Sequence, residues 1–225
     1  MLAAVFRQSK IPLGLKLVYT LFLGVLVPHY WVTYGPLNFL WFCDVALIVT
    51  LAALWLESGF LASMQLIAIG LPQMLWVADF LVRLLAGASI LGLADYMFDE
   101  RIPLLVRGLS SFHAWLPMLL LWMVWRLGYD RRAWLAQVAL AWVVLPVCYL
   151  FTPPPPPPAD NPNAAVNINW VFGPGKDEPQ QWMPAWCYFA LEMAFFPACI
   201  YLPSHLLARR WLPPCVKLVA PRPGV

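Results

Sequence analysis

The stretch NFLWFCDVALIVTLAALWLE, residues 38–57, decides the fold of this chain. It is long enough and apolar enough to cross a bilayer, which needs about 20 such residues. It nevertheless carries a carboxylate, Asp44, roughly two turns in from one end. A carboxylate at that depth costs a few kcal/mol on insertion scales, so such residues usually have a partner or a function. The stretch therefore predicts a membrane-spanning helix that carries an acidic side chain into a helical bundle.

The composition of the whole chain supports a membrane protein. Of its 225 residues, 62% are hydrophobic and 11% are charged, whereas about 25% of the residues of a soluble domain are charged. A soluble enzyme of this composition could not cover its own surface. No basic stripe lies outside the apolar runs, so nucleic-acid binding is not expected. The expected partners are membrane lipids.

The apolar runs predict an all-α, polytopic protein with one transmembrane domain over residues 1–225. The six predicted spans are 13–33, 38–56, 61–85, 107–127, 133–152 and 184–205. A short surface helix is expected at 91–98 within the loop that follows the third span. The loop at 153–183 opens with six consecutive prolines, which form an extended segment and end the fifth span. No small-x-small cleavage site follows the first run, so it is predicted to be a retained span rather than a signal peptide.

The distribution of basic residues predicts the orientation of the bundle. If the N-terminus is cytoplasmic, ten of the 14 Lys and Arg residues are cytoplasmic as well. These ten are Arg7, Lys10, Lys16, Arg126, Arg131, Arg132, Arg209, Arg210, Lys217 and Arg222. Because cytoplasmic loops carry the excess of positive charge, both termini are predicted to be cytoplasmic.

The five cysteines fit no zinc or haem spacing, and four of them lie inside apolar runs. Buried cysteine usually behaves as a small hydrophobic residue. One pair is an exception, because Cys148 and Cys187 flank the loop at the outer face and could form a disulfide in an oxidising compartment. Both alternatives stay open at this point.

Four ionisable residues are predicted to lie at one depth on four different spans. Asp44, Asp79, His113 and Glu192 are each about six to eight residues from the outer end of their span. At 1.5 Å per residue this places them roughly 9–12 Å below the outer boundary. This shared level is the strongest indication of a functional site in the chain.

Helical spacing adds neighbours to these four residues. Arg107 and Ser110 share a helix face with His113, and Arg83 follows Asp79 by four residues. Adjacent residues point about 100° apart, so Cys43 and Asp44 cannot both face the same spot. Asp44 has the stronger claim to the interior because exposure to lipid would cost it more. The catalytic candidates are therefore His113, Asp44, Asp79 and Cys43, and the binding candidates are Glu192, Ser110, Arg83, Arg107 and Asn38.

Structural roles compete with these functional ones. Asp79 and Arg83 could form an ion pair near the interface, and His113 could hydrogen-bond a neighbouring serine or a backbone carbonyl. Glu57 and His205 lie at the inner ends of their spans and are predicted to be solvated.

Three kinds of chemistry suit the shared level. A histidine beside a carboxylate can relay protons or activate water. Cys43 with His113 could form a nucleophile–base pair for acyl transfer. A histidine with two or three carboxylates could bind a divalent metal for hydrolysis. None of these has a diagnostic spacing here, so no metal ligand is assigned and no cofactor is identified.

Five strings resemble an uncharacterised family of bacterial six-span integral membrane proteins over nearly the whole chain. They are WVTYGPLNFLWFCD, LPQMLWVADFL, LADYMFD, SSFHAWLPMLLLWMVWRLGYDRRA and VNINWVFG. This resemblance implies a bacterial inner, or cytoplasmic, membrane. The chain is more loosely similar to the androgen-induced type of intramembrane hydrolases, which use a Thr or Cys nucleophile on an early helix and a His on a middle helix. That similarity would assign these roles to Cys43 and His113. The chain departs from it by the aspartate directly after Cys43 and by the proline-rich loop.

Together these observations predict a six-helix bundle, N-in and C-in, with a polar pocket in its outer half. The leading function is a hydrolase or acyltransferase that acts on a lipid or amphipathic substrate. The alternative is a non-catalytic membrane protein, either an assembly subunit or a small proton-coupled carrier. A carrier also needs polar groups in the inner half. There the second, fourth and fifth spans show little beyond Thr50, Gln137 and Arg126.

Overall fold

The computed structural model describes residues 9–215, and this part of the chain is helical and contains no β-strand. Arg7, Lys217 and Arg222, which entered the orientation argument, lie outside the described residues. The α-helices, in chain order, are α1 (Leu13–Tyr34), α2 (Phe42–Leu56), α3 (Gly59–Ala86), α4 (Leu104–Leu109), α5 (Phe112–Leu127), α6 (Ala133–Phe151), α7 (Ala185–Phe195) and α8 (Leu202–Trp211). Single 3₁₀ turns lie at Pro36–Leu40, Asp95–Phe98 and Ile168–Trp170, and a π-helical segment, Phe196–Tyr201, joins α7 to α8.

Five helical stretches are long and apolar enough to cross a membrane, which is the property of a multi-pass membrane protein. They are Leu13–Tyr34, Gly59–Ala86, Leu104–Leu127, Ala133–Phe151 and Ala185–Trp211. The remaining apolar helix, α2, has 15 residues and is only about 22 Å long at 1.5 Å per residue. The hydrocarbon core of a bilayer is about 30 Å thick, so the crossing by α2, and with it the count of six spans, stays a prediction.

The central helix of the bundle is α3, which packs against α2, α5, α6 and α8. Half of its most apolar stretch is buried, against 17% for the stretch that runs from α7 to α8. The outward surfaces of the peripheral helices are apolar, with exposed Trp186, Leu191 and Phe195 on α7. Such surfaces suit contact with lipid chains rather than with water.

The second predicted span starts later than expected. Residues 38–40 belong to a 3₁₀ turn, and Trp41 adopts an extended conformation (φ −57°, ψ 135°) that separates this turn from α2. Asp44 therefore lies in the first turn of α2 rather than two turns inside a longer helix. A carboxylate is favourable there because backbone N–H groups at a helix N-terminus carry partial positive charge.

Two other predicted spans are interrupted. The fourth divides into α4 and α5 at Ser110 and Ser111. The sixth contains the π-helical segment, which includes Pro197. Proline lacks an N–H group and cannot continue the regular hydrogen-bond ladder, so a disturbance at this position is expected. The predicted surface helix at 91–98 is reduced to the single turn Asp95–Phe98.

The prediction that Glu57 is solvated is wrong. Its side chain is 15% exposed and accepts a hydrogen bond from Lys16 Nζ at 2.9 Å. It also accepts the backbone N–H groups of Lys10 at 3.0 Å and Ile11 at 3.3 Å and the hydroxyl of Ser9. Burial alone would raise the pKa of the Glu57 carboxyl, but these donors outweigh it and lower the pKa to about 2.

The prediction that His205 is solvated is wrong as well. His205 is 9% exposed, and its Nδ1 lies 2.7 Å from the hydroxyl of Tyr129. Tyr129 in turn pairs its backbone with the segment after α8, since its N–H donates to Pro213 O at 2.6 Å. The α2–α3 turn lies against the same region, because a Cβ on Gly59 would approach Gly128 O to 2.7 Å. Both ends of the described chain and two of its turns therefore meet at one end of the bundle.

Candidate functional site

A group of polar and aromatic side chains lies together near the start of α2 and forms the outer polar cluster. Its members come from α1, α2, α3, α5 and the segments beside them: Tyr30, Asn38, Cys43, Asp44, Trp76, Tyr96, Ser110 and His113. Five of these residues are among the site candidates drawn from the sequence. Four helices and two 3₁₀ turns thus converge on one polar region.

Asp44 is the acidic member of the outer polar cluster and is only 3% exposed. Its Oδ2 accepts a hydrogen bond from Asn38 Nδ2 at 3.2 Å, and the thiol of Cys43 lies 3.9 Å from the same oxygen. Its Oδ1 is buried and has no hydrogen-bond partner among residues 9–215. Because a buried polar atom without a partner is costly, Oδ1 is a free acceptor for a ligand or a water molecule.

A pair of hydroxyl groups connects α1 to the break between α4 and α5. Ser110 Oγ donates to the carbonyl of Val106 at 3.2 Å and is also hydrogen-bonded to the hydroxyl of Tyr30. Since a serine hydroxyl has one proton, the Tyr30 hydroxyl must be the donor to Ser110. The hydroxyl of Tyr96 lies close to Ser110 and to Trp76. The hydroxyl groups of Tyr30, Tyr96 and Ser110 therefore lie together.

His113 is held in a defined tautomer by the backbone. Its Nδ1 lies 2.8 Å from the carbonyl oxygen of Ser110. A carbonyl oxygen only accepts, so Nδ1 carries the proton and Nε2 of the neutral ring keeps its lone pair. At the helix break the same carbonyl oxygen also accepts the backbone N–H of His113 at 3.2 Å, while Ala114 N–H bonds to Ser111 O. The imidazole stacks on Trp76 with a centroid distance of 4.9 Å and an interplanar angle of 23°.

Cys43 contacts Asp44 rather than His113. No hydrogen bond joins the Cys43 thiol to the imidazole in the described part of the chain. The nucleophile–base pair that the sequence suggested therefore has both members in the cluster but no direct contact between them. A substrate or a water molecule would have to lie between the two groups.

Asp79 has a structural environment outside the cluster. Its Oδ1 accepts the N–H of Leu91 at 2.9 Å and its Oδ2 accepts that of Ala94 at 3.1 Å, which fixes the following loop on α3. Arg83 does not pair with Asp79 but donates to Gly87 O at 2.8 Å and lies over the ring of Phe98.

Arg107 and Glu192 also lie apart from the cluster. Arg107 Nη1 donates to Met97 O at 3.1 Å and so ties α4 to the turn that carries Tyr96. Glu192 on α7 is 7% exposed, and its Oε2 has no hydrogen-bond partner among the described residues. Its side chain lies close to Cys148 and Tyr188. Of the four residues predicted at one depth, only Asp44 and His113 belong to the outer polar cluster.

Asn169 is a structural residue that sequence reasoning missed. Its Oδ1 accepts the N–H of Phe42 at 3.0 Å and its Nδ2 donates to Leu40 O at 2.9 Å, so a side chain of the long loop caps the start of α2. Asn169 has φ 55°, a left-handed conformation that asparagine tolerates better than most residues. The asparagines of the string VNINW were the available signal.

The cysteine and metal predictions can be compared with the described residues. Cys148 and Cys187 both have free thiols, and Cys148 Sγ lies 3.5 Å from Asn169 Nδ2. Within residues 9–215 no group of three or more His, Cys, Asp and Glu side chains is placed to hold a metal ion.

The arrangement as a whole can accept and donate protons in a dehydrated region. It offers a free carboxylate oxygen on Asp44, an imidazole nitrogen with a lone pair on His113, and the hydroxyls of Tyr30, Tyr96 and Ser110. Comparison with protein-family models, with curated proteins and with solved structures finds no match for this chain.

Proposed function

We propose that the outer polar cluster is an acid–base site for the polar end of a membrane lipid or another amphipathic substrate, and that the protein is a hydrolase or acyltransferase. The observation that carries this proposal is the buried, unpartnered Oδ1 of Asp44 in the same cluster as the free Nε2 of His113. Ionisable side chains inside a membrane bundle are costly and are usually kept for function.

The roles follow from the contacts. His113 Nε2 acts as the general base, and the Ser110 carbonyl orients the ring by holding Nδ1–H. The base takes a proton either from a water molecule or from the Cys43 thiol, which then attacks an acyl carbonyl. Asp44 accepts a hydrogen bond from the substrate or from the imidazolium, while Asn38 holds its other oxygen. In the covalent route a thioester forms on Cys43, the leaving alcohol takes the proton from His113, and water then releases the acid.

The looser similarity to androgen-induced-type hydrolases agrees with this proposal, because it assigns the nucleophile and the histidine to Cys43 and His113. We further propose six crossings with both termini cytoplasmic, in a bacterial inner membrane. This is supported by the convergence of both described ends at one end of the bundle. Reporter fusions after residue 215 and within the loop at 153–183 would test it, and equal reporter localisation at the two sites would contradict it.

The test of the enzymatic proposal is covalent labelling of membranes that contain the protein. A fluorophosphonate and a thiol-reactive acylating probe would be compared on the wild type, Cys43→Ala and His113→Ala, with Cys199→Ala as the control. Cys199 is an exposed cysteine on the π-helical segment, away from the cluster. Loss of labelling in Cys43→Ala and His113→Ala, but not in the control, is expected for a nucleophile–base pair. Labelling that depends on neither residue would refute the covalent route.

A proton-coupled carrier is the second candidate, and one observation favours it. Gln137, which the sequence already places in the inner half, is completely buried there, and so is Gln65 on α3, which the sequence analysis did not include. Buried amides on the inner side of Asp44 are the kind of polar groups that a carrier needs in that half of the bundle. Proteoliposomes with a pH-sensitive dye inside would test this: proton entry that Asp44→Asn abolishes would support the carrier, and absence of proton movement would exclude it.

A further inference from the structure

Four buried polar side chains lie in the inner half of the bundle and form the inner polar layer: Thr50, Gln65, Gln137 and Tyr201. All four have no exposed surface. Both amide atoms of Gln65, both amide atoms of Gln137 and the hydroxyl oxygens of Thr50 and Tyr201 lack a hydrogen-bond partner among residues 9–215. Six buried polar atoms without partners in one part of a membrane bundle need an explanation, because lipid hydrocarbon cannot form hydrogen bonds with them.

These residues share one level because of the helix register. Thr50 and Gln65 are equally far from the turn at Glu57 and Ser58, seven residues on either side, so each lies about 10 Å above it. Ser63 Oγ accepts the N–H of Asp130 at 3.1 Å, which places the start of α6 near the level of Ser63.

The other two members reach the same level from α6 and the π-helical segment. Gln137 lies one turn into α6, and the hydroxyl of Tyr201 lies close to its amide. The elements α3, α6 and Phe196–Tyr201 are in mutual contact, so Gln65, Gln137 and Tyr201 form one site within the inner polar layer. Thr50 lies at the same level on α2, close to Tyr19 of α1.

An apolar layer separates this site from the outer polar cluster. Ala46 and Leu47 on α2 and Ile69 on α3 are buried between the two levels. Asp44 and Thr50 are six residues apart on α2, which corresponds to about 9 Å along the helix. The inner polar layer therefore does not extend the outer polar cluster and needs its own ligand.

The orphan atoms define the chemistry of that ligand. Amide nitrogens only donate and amide oxygens only accept, and both kinds are unpartnered on Gln65 and on Gln137. This remains true whichever way each amide is oriented. A cation would satisfy the oxygens and leave the nitrogens, and an anion would do the reverse. A neutral ligand that both donates and accepts satisfies all of them, and water is the smallest such ligand.

We propose that the inner polar layer holds internal water molecules that bridge Gln65, Gln137 and Tyr201. Buried waters typically make about three hydrogen bonds to polar groups that would otherwise be unsatisfied. The water site is independent of the acid–base function proposed for the outer polar cluster, and either can hold without the other.

Hydroxyl-radical footprinting by X-ray radiolysis tests the presence of water, because radicals generated from bound water modify the side chains beside it. The full-length protein in nanodiscs would be compared with Gln65→Met/Gln137→Met. Tyr201 is expected to be oxidised several-fold faster in the wild type than in the variant. Met123 is as buried as Tyr201 and provides the internal reference for both samples. Equal, slow oxidation of Tyr201 in both proteins would overturn the proposal.

Thermal unfolding is a second test, because the presence and the absence of bound water predict opposite changes in Tm. Gln137→Met keeps the length of the side chain and removes its hydrogen-bonding groups. If the amide is satisfied by water, the variant breaks the network and its Tm falls; Leu145→Met on the same helix serves as the control, with little change expected. If the amide has no hydrogen-bond partner, the variant removes a buried, unsatisfied polar group and its Tm rises, which would overturn the proposal. Should the variant fail to fold, oxidation of Tyr201 relative to Met123 in the wild type decides alone.

Discussion

Asp44→Asn should preserve or increase the stability of the protein while abolishing its function. Asp44 is 3% exposed, and its carboxylate accepts one short side-chain hydrogen bond, from the Asn38 amide at 3.2 Å, and a long one from the Cys43 thiol at 3.9 Å. The bond from Asn38 and the N-terminus of α2 stabilise the carboxylate by about 2–4 kcal/mol together. Placing a carboxylate in a membrane helix costs about 2.5–3.5 kcal/mol on insertion scales. Asparagine avoids most of that cost and keeps an oxygen for Asn38, so we expect a change in the free energy of unfolding between zero and about +1 kcal/mol.

The matched control is Asp79→Asn. Asp79 is equally buried, but its two oxygens accept the backbone N–H groups of Leu91 and Ala94. An amide can replace only one of these acceptors, and its NH₂ would face a backbone donor, so this variant should lose about 1–3 kcal/mol. Unfolding in detergent micelles, followed by circular dichroism with denaturant, would measure both variants. A loss of more than about 2 kcal/mol in Asp44→Asn would refute the reasoning, because it would show that the Asp44 carboxylate holds the bundle together.

Three further predictions concern stability. Because the pKa of Glu57 is lowered from 4.5 to about 2, its contribution, about 1–3 kcal/mol, is complete above pH 4.5 and is lost as the pH falls to 2. Glu57→Gln should therefore flatten the acid limb of a pH–stability curve, and an unchanged acid limb would contradict this. Asn169→Ala should lower the free energy of unfolding by about 2–4 kcal/mol in chemical denaturation, because two buried backbone groups lose their hydrogen-bond partner. The control Asn163→Ala, at an exposed residue, should change it little. Equal losses in the two variants would count against a capping role for Asn169. Gly59→Ala should lower the free energy of unfolding by about 1–3 kcal/mol, because the new Cβ would approach a backbone oxygen to 2.7 Å. In the same assay the control Gly24→Ala, whose Cβ would meet nothing within 4 Å, should be neutral or stabilising by up to about 1 kcal/mol.

The positions of the helices were largely predictable from the sequence. Apolar runs of bilayer length, ended by proline, glycine or charged residues, predict the long helices to within a few residues, except that the last one continues six residues beyond its predicted end, to Trp211. The main error, at residues 38–41, has a physical cause: these residues are as apolar as a helix would require, and hydropathy does not distinguish a 3₁₀ turn from an α-helix. The break at Ser110 and Ser111 was not predicted for the same reason, although it is where the Ser110 carbonyl accepts the Nδ1–H of His113.

The amino-acid sequence by itself determined that this chain forms apolar helices suited to a membrane and, once the ends of a helix are fixed, how deep its polar residues lie along it; Asp44 was misplaced because α2 begins only at Phe42. Depth follows from counting residues at a fixed rise. Only the tertiary structure decided which of those residues meet, because contact also depends on how each helix is rotated and which helix lies beside it. Asp44 and His113 thereby share a cluster, while Asp79 holds a loop and Glu192 faces another part of the bundle. The same packing brings Gln65 and Gln137 to one level, although no spacing along a single helix relates them.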